Sequence, residues 1–528
     1  MATSQAVSTA GGTDTRLALL RARLVPPLPG GDLWGWLGPL LITAFGTYLR
    51  FYRLGMPRAV IFDETYYVPD AYGILKYGVE HNYVSNRNAL IVRGDPHFFS
   101  RGGEFVAHPP LGKVFIAAGE WLFGLTPFGW RFAVAVVGSL SILLLARIAR
   151  RMTRSTLLGC AAGLLLALDG LEFVMSRTAL LDIFVMFWVL AAFGCLVVDR
   201  DVYRARLACA AEAGEDRPPR TGIRWWRLGA GLCLGLACAS KWNGVWFIPA
   251  FAAMSLAWDL GARRTAAMRD SAGVALVKDV RGMAASFVLL PVAAYLASWS
   301  GWLAAGTGYD RNWAQQHGVN LPVLSPLISL FEYNRAMLAF NTGLRTSHPY
   351  ASKPWTWIML ARPVSYYWVC TAPSGKPCPS GTIPAGASAQ EVLALGTPVL
   401  WWTSILALLV CLGWWLTRRD WRPGAVLVAV AAGWLPWFLF ADRTQFSFYS
   451  VAFVPYLVLA LTLCLGLILG PARATAKRRV VGAAIAGAYV LGVLVDFAYM
   501  YPVFAAKAIP YAQWLSRMWY HPGGHGWI

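Results

Sequence analysis

The sequence predicts an all-α integral membrane protein with about eleven transmembrane helices. Hydrophobic residues make up 57% of the 528 residues and charged residues only 14%, whereas roughly a quarter of the residues in soluble proteins are charged. The mean hydropathy of +0.50 agrees with this composition. Apolar runs of about 15–24 residues recur along the chain, close to the length that crosses a bilayer. These observations exclude an ordinary soluble enzyme.

Eleven apolar runs are predicted to be the spans. The polar residues 1–33 lack the apolar core and the cleavage site of a signal peptide, so the first run is predicted to be retained as a span. The runs are 34–50, 131–147, 155–169, 179–198, 226–240, 243–258, 283–301, 397–416, 424–440, 447–470 and 480–500.

The distribution of basic residues predicts the orientation in the membrane. Six short segments between the runs contain 26 of the 46 Lys and Arg residues. Basic residues concentrate on the cytoplasmic side of membrane proteins. The N-terminus is therefore expected in the cytoplasm and, after an odd number of spans, the C-terminus outside. The net charge of +20 does not indicate nucleic-acid binding, because the basic residues flank apolar runs and form no stripe with interleaved aromatic residues.

Two long external loops interrupt the predicted spans. The stretch 111–125 within the first loop is interpreted as an interfacial helix, because a span there would place the following basic block outside. Cys370 and Cys378 share the second loop, and an external position would favour a disulfide between them. The predicted divisions are a cytoplasmic tail 1–33, a transmembrane module 34–301 containing the first external loop 51–130, a second external loop 302–396, a four-helix module 397–500 and an external tail 501–528.

Asp63 and Glu64 are the most informative residues of the first loop. They follow the first span directly and lie among Phe62, Tyr66 and Tyr67. They are either solvated acids beside an aromatic belt or a catalytic carboxylate at the membrane surface. A base in that position would accept the proton of an acceptor hydroxyl.

Further ionisable residues occur at the predicted outer ends of other spans. Asp169, Glu172, Arg177 and Asp182 surround the junction of two runs, and Lys241 and Arg443 interrupt later apolar stretches. Charged groups at membrane depth are costly and are candidates for function. Each could be part of a structural pair, as Arg177 with Asp182 is expected to be. Their collection at one face favours a polar cavity there.

Several cations are candidates for binding a phosphate. The motif His108-Pro-Pro-Leu-Gly-Lys113 forms a stiff entry into a helix, and Arg131 begins the second run. Lys113 is either an interfacial lysine or a phosphate ligand. Arg suits bidentate phosphate contact and Lys a point-charge contact. The predicted phosphate or substrate ligands are Arg50, Arg131, Lys241, Lys113, Arg443, His108, Arg177 and Asp182.

The sequence identifies no cofactor. It contains no Walker loop, no Rossmann glycine fingerprint and no cluster of metal-ligand type. The sequence leaves open whether a divalent cation assists the reaction. A transferase that faces outward without binding a nucleotide is expected to use a lipid-linked donor.

Taken together, these motifs resemble the protein O-mannosyltransferase family over almost the whole chain. An Asp-Glu pair alone is weak evidence, but the ordered set is specific. The set is Arg50, Arg53, Phe62-Asp63-Glu64, His108-Pro-Pro-Leu-Gly-Lys113, Trp130-Arg131-Phe132, Asp169-Gly-Leu-Glu172, Arg177, Asp182, Lys241-Trp-Asn-Gly244, Tyr333-Asn-Arg-Ala-Met337, Asn341, His348-Pro-Tyr350 and Arg443-Thr-Gln-Phe446.

The resemblance implies a GT-C fold and an inverting transfer of mannose from a polyprenyl phosphate to Ser or Thr. By this resemblance Asp63 matches the catalytic Asp of the family and Glu64 its neighbour, and Arg50 and Arg131 match basic positions associated with activity. The loop 302–396 is too short for the MIR domain of eukaryotic members, so the chain resembles the bacterial branch. One carboxylate and several cations suffice for this chemistry, because a phosphate leaving group needs no proton.

Alternatives to this function remain open at this stage. A GT-C enzyme acting on another lipid-linked sugar or on a lipid acceptor would share the acidic loop and the spans. A transporter would show repeated halves and charge near the bilayer midplane, and a scaffold protein is a third class. The expected partners are polyprenyl phosphate mannose, membrane lipids and unfolded or translocating Ser/Thr-containing polypeptides, with the secretion translocon as a site of encounter at the plasma membrane.

Overall fold

The computed structural model describes residues 15–28, 32–219, 222–268, 279–471, 473–519 and 527. These residues are mostly helical, as the composition predicts. Eight of the described helical segments have the length and apolar composition needed to cross a membrane. They are Pro127–Thr153, Asp182–Glu212, Trp242–Thr265, Asp279–Ser298, Pro398–Arg418, Trp421–Phe440, Ser447–Leu469 and Ala476–Phe504.

Three further helices coincide with the remaining predicted runs. They are Asp32–Phe51, Thr156–Ala167 and Trp225–Ser240. Thr156–Ala167 has only 12 residues, so it extends ~18 Å and does not by itself traverse a hydrocarbon core of about 30 Å. Every predicted apolar run is thus helical in the structure.

Side-chain caps fix where several of these helices begin. The Thr126 hydroxyl accepts a hydrogen bond from the backbone N–H of Gly129 at 3.1 Å, and Pro127 occupies the first helical position. The Ser155 hydroxyl accepts from the N–H of Leu158 at 3.3 Å. Ser155 lies in the short turn between the helices Pro127–Thr153 and Thr156–Ala167, whereas Thr126 joins the first of them to the preceding loop.

Two helices form the centre of the membrane region. Asp182–Glu212 and Ser447–Leu469 are mostly enclosed by their neighbours. Phe193 packs between Phe251 and Tyr456, with ring centroids 5.9 and 5.2 Å away. Pro398–Arg418 and Ala476–Phe504 instead expose many leucine and valine side chains, as expected of helices that face lipid. The central helices carry Asp182 and Tyr449 near their outer ends, so the core positions the candidate site.

The first loop is folded. It contains the helices Glu64–Tyr77, Arg87–Val92 and Leu111–Phe123. Strand β1 (His81–Tyr83) pairs antiparallel with β2 (Phe99–Gly103). Leu111–Phe123 has 13 residues and covers the stretch 111–125, whose position at the membrane interface stays a prediction.

The second loop has more regular structure than the sequence indicated. It contains short helices, the 20-residue helix Leu324–Gly343 and an antiparallel hairpin of β3 (Val364–Thr371) and β4 (Ser388–Ala394). Strand β5 (Ile509–Pro510), from beyond the last long helix, pairs with β4. The short helices of this region and the tail are Ser300–Ala304, Trp313–Gln316, Pro354–Trp357 and Tyr511–Leu515.

Cys370 and Cys378 form a disulfide that closes the turn after β3. The N–H of Cys378 also donates to the carbonyl of Cys370 at 3.1 Å. We expect peptide mapping without reductant to recover the two cysteines as one cross-linked species, whereas Cys209, an exposed free cysteine, reacts with a thiol reagent. Recovery of both thiols free would contradict the prediction. Because the loop is short, the bond adds only about 2.5 kcal/mol by chain entropy.

Candidate active site

Asp63 lies at the start of the helix Glu64–Tyr77 and is half-buried. Its backbone is at φ −70° and ψ −5°, and its side chain caps no backbone N–H. Within the described part of the chain, the carboxylate has no hydrogen-bond donor. A half-buried carboxylate without a structural partner is free to accept a proton from a bound molecule.

The residue before it is held in a strained conformation. Phe62 has φ +45°, in the left-handed region that bulky side chains rarely adopt. Its ring stacks on Tyr366 with centroids 4.7 Å apart and meets Phe448 edge-on at 5.6 Å. His348 and Phe446 complete the enclosure at 6.3 and 5.9 Å. This aromatic cluster, defined as Phe62, Tyr366, Phe446 and Phe448, fixes the backbone that presents Asp63.

Glu64 points the other way into a fully buried site. Its carboxylate accepts hydrogen bonds from Arg131 Nε at 2.7 Å and Nη2 at 2.8 Å. It also accepts from the backbone N–H of Ile61 at 3.0 Å and of Ala179 at 3.1 Å. Four donors occupy its lone pairs, so Glu64 anchors the loop and is not placed to take a proton from substrate.

The position of Arg131 does not support its predicted role as a phosphate ligand. Besides the pair with Glu64, it donates to the carbonyls of Pro57 at 3.0 Å and Ala59 at 2.9 Å. The side chain is fully buried. Arg131 therefore fixes the loop through buried ionic and backbone contacts, and its guanidinium is not directed at a ligand.

Asp182 and Lys241 bring two long helices to Asp63. Lys241 Nζ donates to the two carboxylate oxygens of Asp182 at 2.8 and 3.0 Å. The ammonium also lies 4.6 Å from the ring centroid of Tyr449. The predicted pair of Arg177 with Asp182 is thus wrong, because Lys241 is the partner of Asp182. Arg177 instead donates to the carbonyls of Arg50 at 2.6 Å and Tyr52 at 2.8 Å, which ties down the end of the first long helix.

The surroundings of Asp63 tune its acidity. Burial raises the pKa of Asp63 to about 6, the positive charge of Lys241 opposes this shift, and the negative charge of Asp182 adds to it. A carboxylate with that pKa is mainly ionised at neutral pH and is a stronger base than an ordinary aspartate. Both properties suit general-base catalysis.

His108 faces the same region as a neutral imidazole. Its ring lies 6.2 Å from the ring of Tyr67. Burial lowers the pKa of His108 well below its usual range, helped by the charges of Lys241, Lys113 and Arg443. The assignment of His108 to the substrate site stays a prediction, and the lowered pKa makes the ring uncharged at neutral pH.

Arg443 lies in a turn that joins three segments of the site. Its Nε donates to the carbonyl of Asn341 at 2.6 Å. The Asn341 amide donates to the carbonyl of Ala107 at 2.9 Å, beside His108, and the N–H of Thr444 donates to the carbonyl of Leu344 at 2.9 Å. Among the described residues Arg443 has no carboxylate partner, so its charge is available to an anion.

Two other predicted phosphate ligands lie in buried ion pairs. Arg50 is paired with Glu172. Lys113 contacts Glu80 and lies 3.6 Å from Asp70. All of these side chains are buried, so their charges are already balanced, and the position of neither cation supports a role at the phosphate.

Asp169, predicted to contribute to a polar cavity, has a structural position. It caps the helix Gly170–Met175 by accepting from the N–H of Glu172 at 2.8 Å, and it accepts from Trp401 Nε1 at 2.6 Å. It is fully buried. The charged residues of this face therefore divide into structural pairs and the smaller group around Asp63.

Sequence reasoning missed the aromatic residues that complete the site. Tyr366 comes from β3, while Phe448 and Tyr449 come from the 3₁₀ segment Ser447–Phe453. Aromatic residues are common in every outer segment of this chain, so their identity carried no signal. By resemblance alone, the motifs around His348 and Phe446 favour a protein acceptor; in the structure both residues contact Phe62.

Comparison with known proteins gives a consistent assignment. The family described as dolichyl-phosphate-mannose-protein mannosyltransferase matches residues 40–300. The C-terminal four TMM region of protein-O-mannosyltransferase matches residues 327–522. The polyprenol-phosphate-mannose–protein mannosyltransferase of Mycolicibacterium smegmatis strain MKD8 is 40% identical over 97% of this chain and 99% of its own length. That of Corynebacterium glutamicum is 33% identical over 94% and 96%.

Solved structures share the fold at low sequence identity. The Saccharomyces cerevisiae protein O-mannosyltransferase Pmt1–Pmt2 complex bound to the sugar donor aligns with a TM-score of 0.68 and 15% identity, covering 96% of this chain and 94% of that one. ArnT from Cupriavidus metallidurans bound to undecaprenyl phosphate aligns with a TM-score of 0.50 and 15% identity, covering 89% and 71%. On the family matches and the identity to curated relatives, the chain belongs to the protein O-mannosyltransferase family.

Proposed function

We propose that Asp63 is the general base in the transfer of mannose from a polyprenyl phosphate mannose donor to Ser or Thr hydroxyls of proteins. One observation carries this assignment. Of the two adjacent acids, the Glu64 carboxylate accepts four hydrogen bonds in a fully buried site, whereas the Asp63 carboxylate has no hydrogen-bond donor among the described residues. Only Asp63 is left to accept the proton of a hydroxyl.

The chemistry follows from this arrangement. The Asp63 carboxylate accepts the hydroxyl proton as the hydroxyl oxygen attacks the anomeric carbon of mannose. The bond between that carbon and the phosphate oxygen breaks, and the phosphate leaves with the electron pair. Because attack and departure occur on opposite faces of the sugar, the anomeric configuration inverts. No second acid is needed, since a phosphate departs without protonation when a cation offsets its charge.

Arg443 is the cation best placed to receive that phosphate. Its Nε contacts the carbonyl of Asn341, and its guanidinium is half-buried beside Trp437 and Tyr449, about 6 Å from each ring centroid. Lys241 also lies against the ring of Tyr449, at 4.6 Å from its centroid, although Asp182 already offsets the charge of Lys241. In this proposal Arg443, with Lys241 beside it, takes the place of the larger set of phosphate ligands inferred from the sequence.

Transfer by the purified chain tests the proposal. The protein in lipid vesicles is given polyprenyl phosphate [³H]mannose and a peptide with a single Ser, with the Ser-to-Ala peptide as the matched control. We expect label on the Ser peptide alone, in an alkali-labile bond of inverted configuration. Label that leaves the donor and appears only in a second lipid would support the alternative of a lipid acceptor, and retention of configuration would contradict direct attack assisted by Asp63.

The proposed topology has eleven spans with the N-terminus in the cytoplasm and Asp63 on the external face of the plasma membrane. It rests on the clustered basic residues and on helices at every apolar run. Exported polypeptides that emerge unfolded, at the translocon or beyond it, would then meet the site directly. This side of the membrane also agrees with a disulfide at Cys370.

We expect reporter tags at residue 210 and at the C-terminus to give opposite locations. A tag at residue 376, in the disulfide-closed turn, should report the same side as the C-terminus and serves as the control. Tags at residue 210 and the C-terminus on one side would rule out the eleven-span topology.

A further inference from the structure

A basic pocket lies at the end of the helices that is remote from Asp63. It has a volume of about 790 Å³, within the range of small-molecule sites. Arg200 lines it, on the same helix that carries Asp182 at its beginning. At 1.5 Å per residue the two positions are ~27 Å apart along the axis, so the pocket lies near the opposite membrane surface.

Among the described residues, seven arginines line this pocket and Asp420 is the acidic residue in its wall. Arg200 and Arg204 come from the helix Asp182–Glu212. Arg418, Arg419 and Arg422 come from the turn between the helices Pro398–Arg418 and Trp421–Trp434.

The remaining two are Arg23 and Arg154. Asp201 lies beside the wall and pairs with Arg154 at 2.9 Å and with Arg200 at 3.2 Å. The acids in and beside the pocket are therefore outnumbered by the arginines.

Part of this charge has no protein partner. Arg422 pairs with Asp420 at 2.5 Å, and Arg204 donates to the carbonyl of Leu24 at 2.9 Å. Arg418 and Arg419 have no carboxylate partner within the described ranges. Cations gathered around one pocket repel each other, and a bound anion would offset that repulsion.

Most of the other lining residues are apolar or aromatic. Trp258, Trp414, Trp415 and Trp421 line the pocket together with Met254. Several of the rings hold guanidinium groups, with Arg200 3.8 Å from the centroid of Trp421 and Arg422 5.2 Å from that of Trp414. Tryptophan is enriched at the level of lipid headgroups. The pocket thus joins a cationic end to an apolar wall at the membrane surface.

We propose that this pocket binds the headgroup of an anionic phospholipid, with the phosphate on the arginines of the turn and the acyl chains along the tryptophan-lined wall. A lipid matches both halves of the pocket, whereas a soluble phosphate would leave the apolar half unoccupied. Basic pockets between helices at a membrane surface suit multiply charged headgroups. This pocket is distinct from the site around Asp63, because it lies at the other end of the helices and binds a lipid that is not a substrate.

The test uses the purified full chain stripped of lipid in neutral detergent and titrated by native mass spectrometry. The probes are diphosphatidylglycerol, phosphatidylcholine and inorganic phosphate. The variant Arg418→Gln/Arg419→Gln removes the two cations that lack acidic partners. The matched control, Lys477→Gln/Arg479→Gln, removes the same charge from the first turn of the helix Ala476–Phe504, outside the pocket lining. Retained mannosyl transfer shows that both variants are folded.

We expect diphosphatidylglycerol to bind wild type and control alike, and the Arg418/Arg419 variant about 30-fold more weakly. Phosphatidylcholine should bind all three chains weakly and equally. The proposal is overturned if the Arg418/Arg419 variant binds diphosphatidylglycerol as tightly as wild type does. It is also overturned if wild type binds phosphatidylcholine as tightly as diphosphatidylglycerol. Displacement of the lipid by inorganic phosphate at matched concentration would overturn it too, because the pocket would then recognise phosphate without a lipid.

Discussion

Replacing Asp63 with asparagine is expected to slow mannosyl transfer at least about a hundredfold, the lower range for loss of a general base. Asparagine keeps the size and shape of the side chain but cannot accept the hydroxyl proton. The Asp63 side chain makes no hydrogen bond among the described residues, so the fold should be retained. Donor binding should change little. The rate of a single turnover with bound donor, together with the dissociation constant of the donor, separates these effects.

Asp95→Asn is a matched control for this substitution. Asp95 lies in the same loop, and its exposed carboxylate accepts a hydrogen bond from His97 at 2.8 Å. It makes no contact with the residues around Asp63 that are described above. Its substitution should leave transfer unchanged. The rival base is Glu64. If Asp63→Asn retained near-normal turnover while a folded Glu64→Gln variant were inactive, the roles of the two acids would be reversed.

Arg131→Ala is expected to destabilise the protein by about 3–5 kcal/mol, the usual cost of removing one partner from a buried ion pair. The change leaves the Glu64 carboxylate buried with two of its four donors gone, and it frees the carbonyls of Pro57 and Ala59. The loop that presents Asp63 should loosen as a result. Thermal inactivation in detergent and the transfer rate should therefore decline together.

The alternative for Arg131 is the phosphate contact that its position in the sequence suggested. In that case the variant would keep wild-type thermal stability and lose donor affinity, which would contradict the structural role. Arg58→Ala is the control, since Arg58 is exposed in the same loop and has no ion-pair partner among the described residues. It should change stability by less than about 0.5 kcal/mol. Adding Glu64→Gln to Arg131→Ala should recover part of the loss, because no buried charge is then left unpaired.

The helices could be predicted from the sequence because hydropathy over a span is a strong local signal. Each predicted run, including the short Thr156–Ala167, is a helix in the structure. The family could also be predicted, because its motifs keep their order along the chain. The folded loops could not. The sheet of β3 and β4 is extended by β5, which lies beyond the last long helix, and no local pattern indicates such a distant contact.

The candidate site was predicted in part. Of the charges at the outer helix ends, Lys241 and Asp182 pair with each other close enough to Asp63 to influence its pKa, whereas Asp169, Glu172 and Arg177 lie in structural contacts. What the sequence could not separate was a cation that binds substrate from one that neutralises a buried acid. Arg131 and Arg443 are both arginines at helix ends, and only the position of Glu64 beside Arg131 distinguishes them. Ion pairs between residues that are distant in the sequence therefore decide which of the predicted cations are still candidates for the phosphate.

The pH dependence of single-turnover transfer is the most direct test of Asp63 as the base. Because burial raises the pKa of Asp63 to about 6, about nine tenths of the enzyme is in the active, ionised form at pH 7 and about one tenth at pH 5. Measured with donor saturating from pH 4.5 to 8, the rate should fall about tenfold per unit below pH 6 and be level above pH 7. The residual rate of the Asp63→Asn variant should not show this fall below pH 6. A wild-type rate that stayed level through pH 6, or an Asp63→Asn variant that kept the same fall, would contradict the assignment.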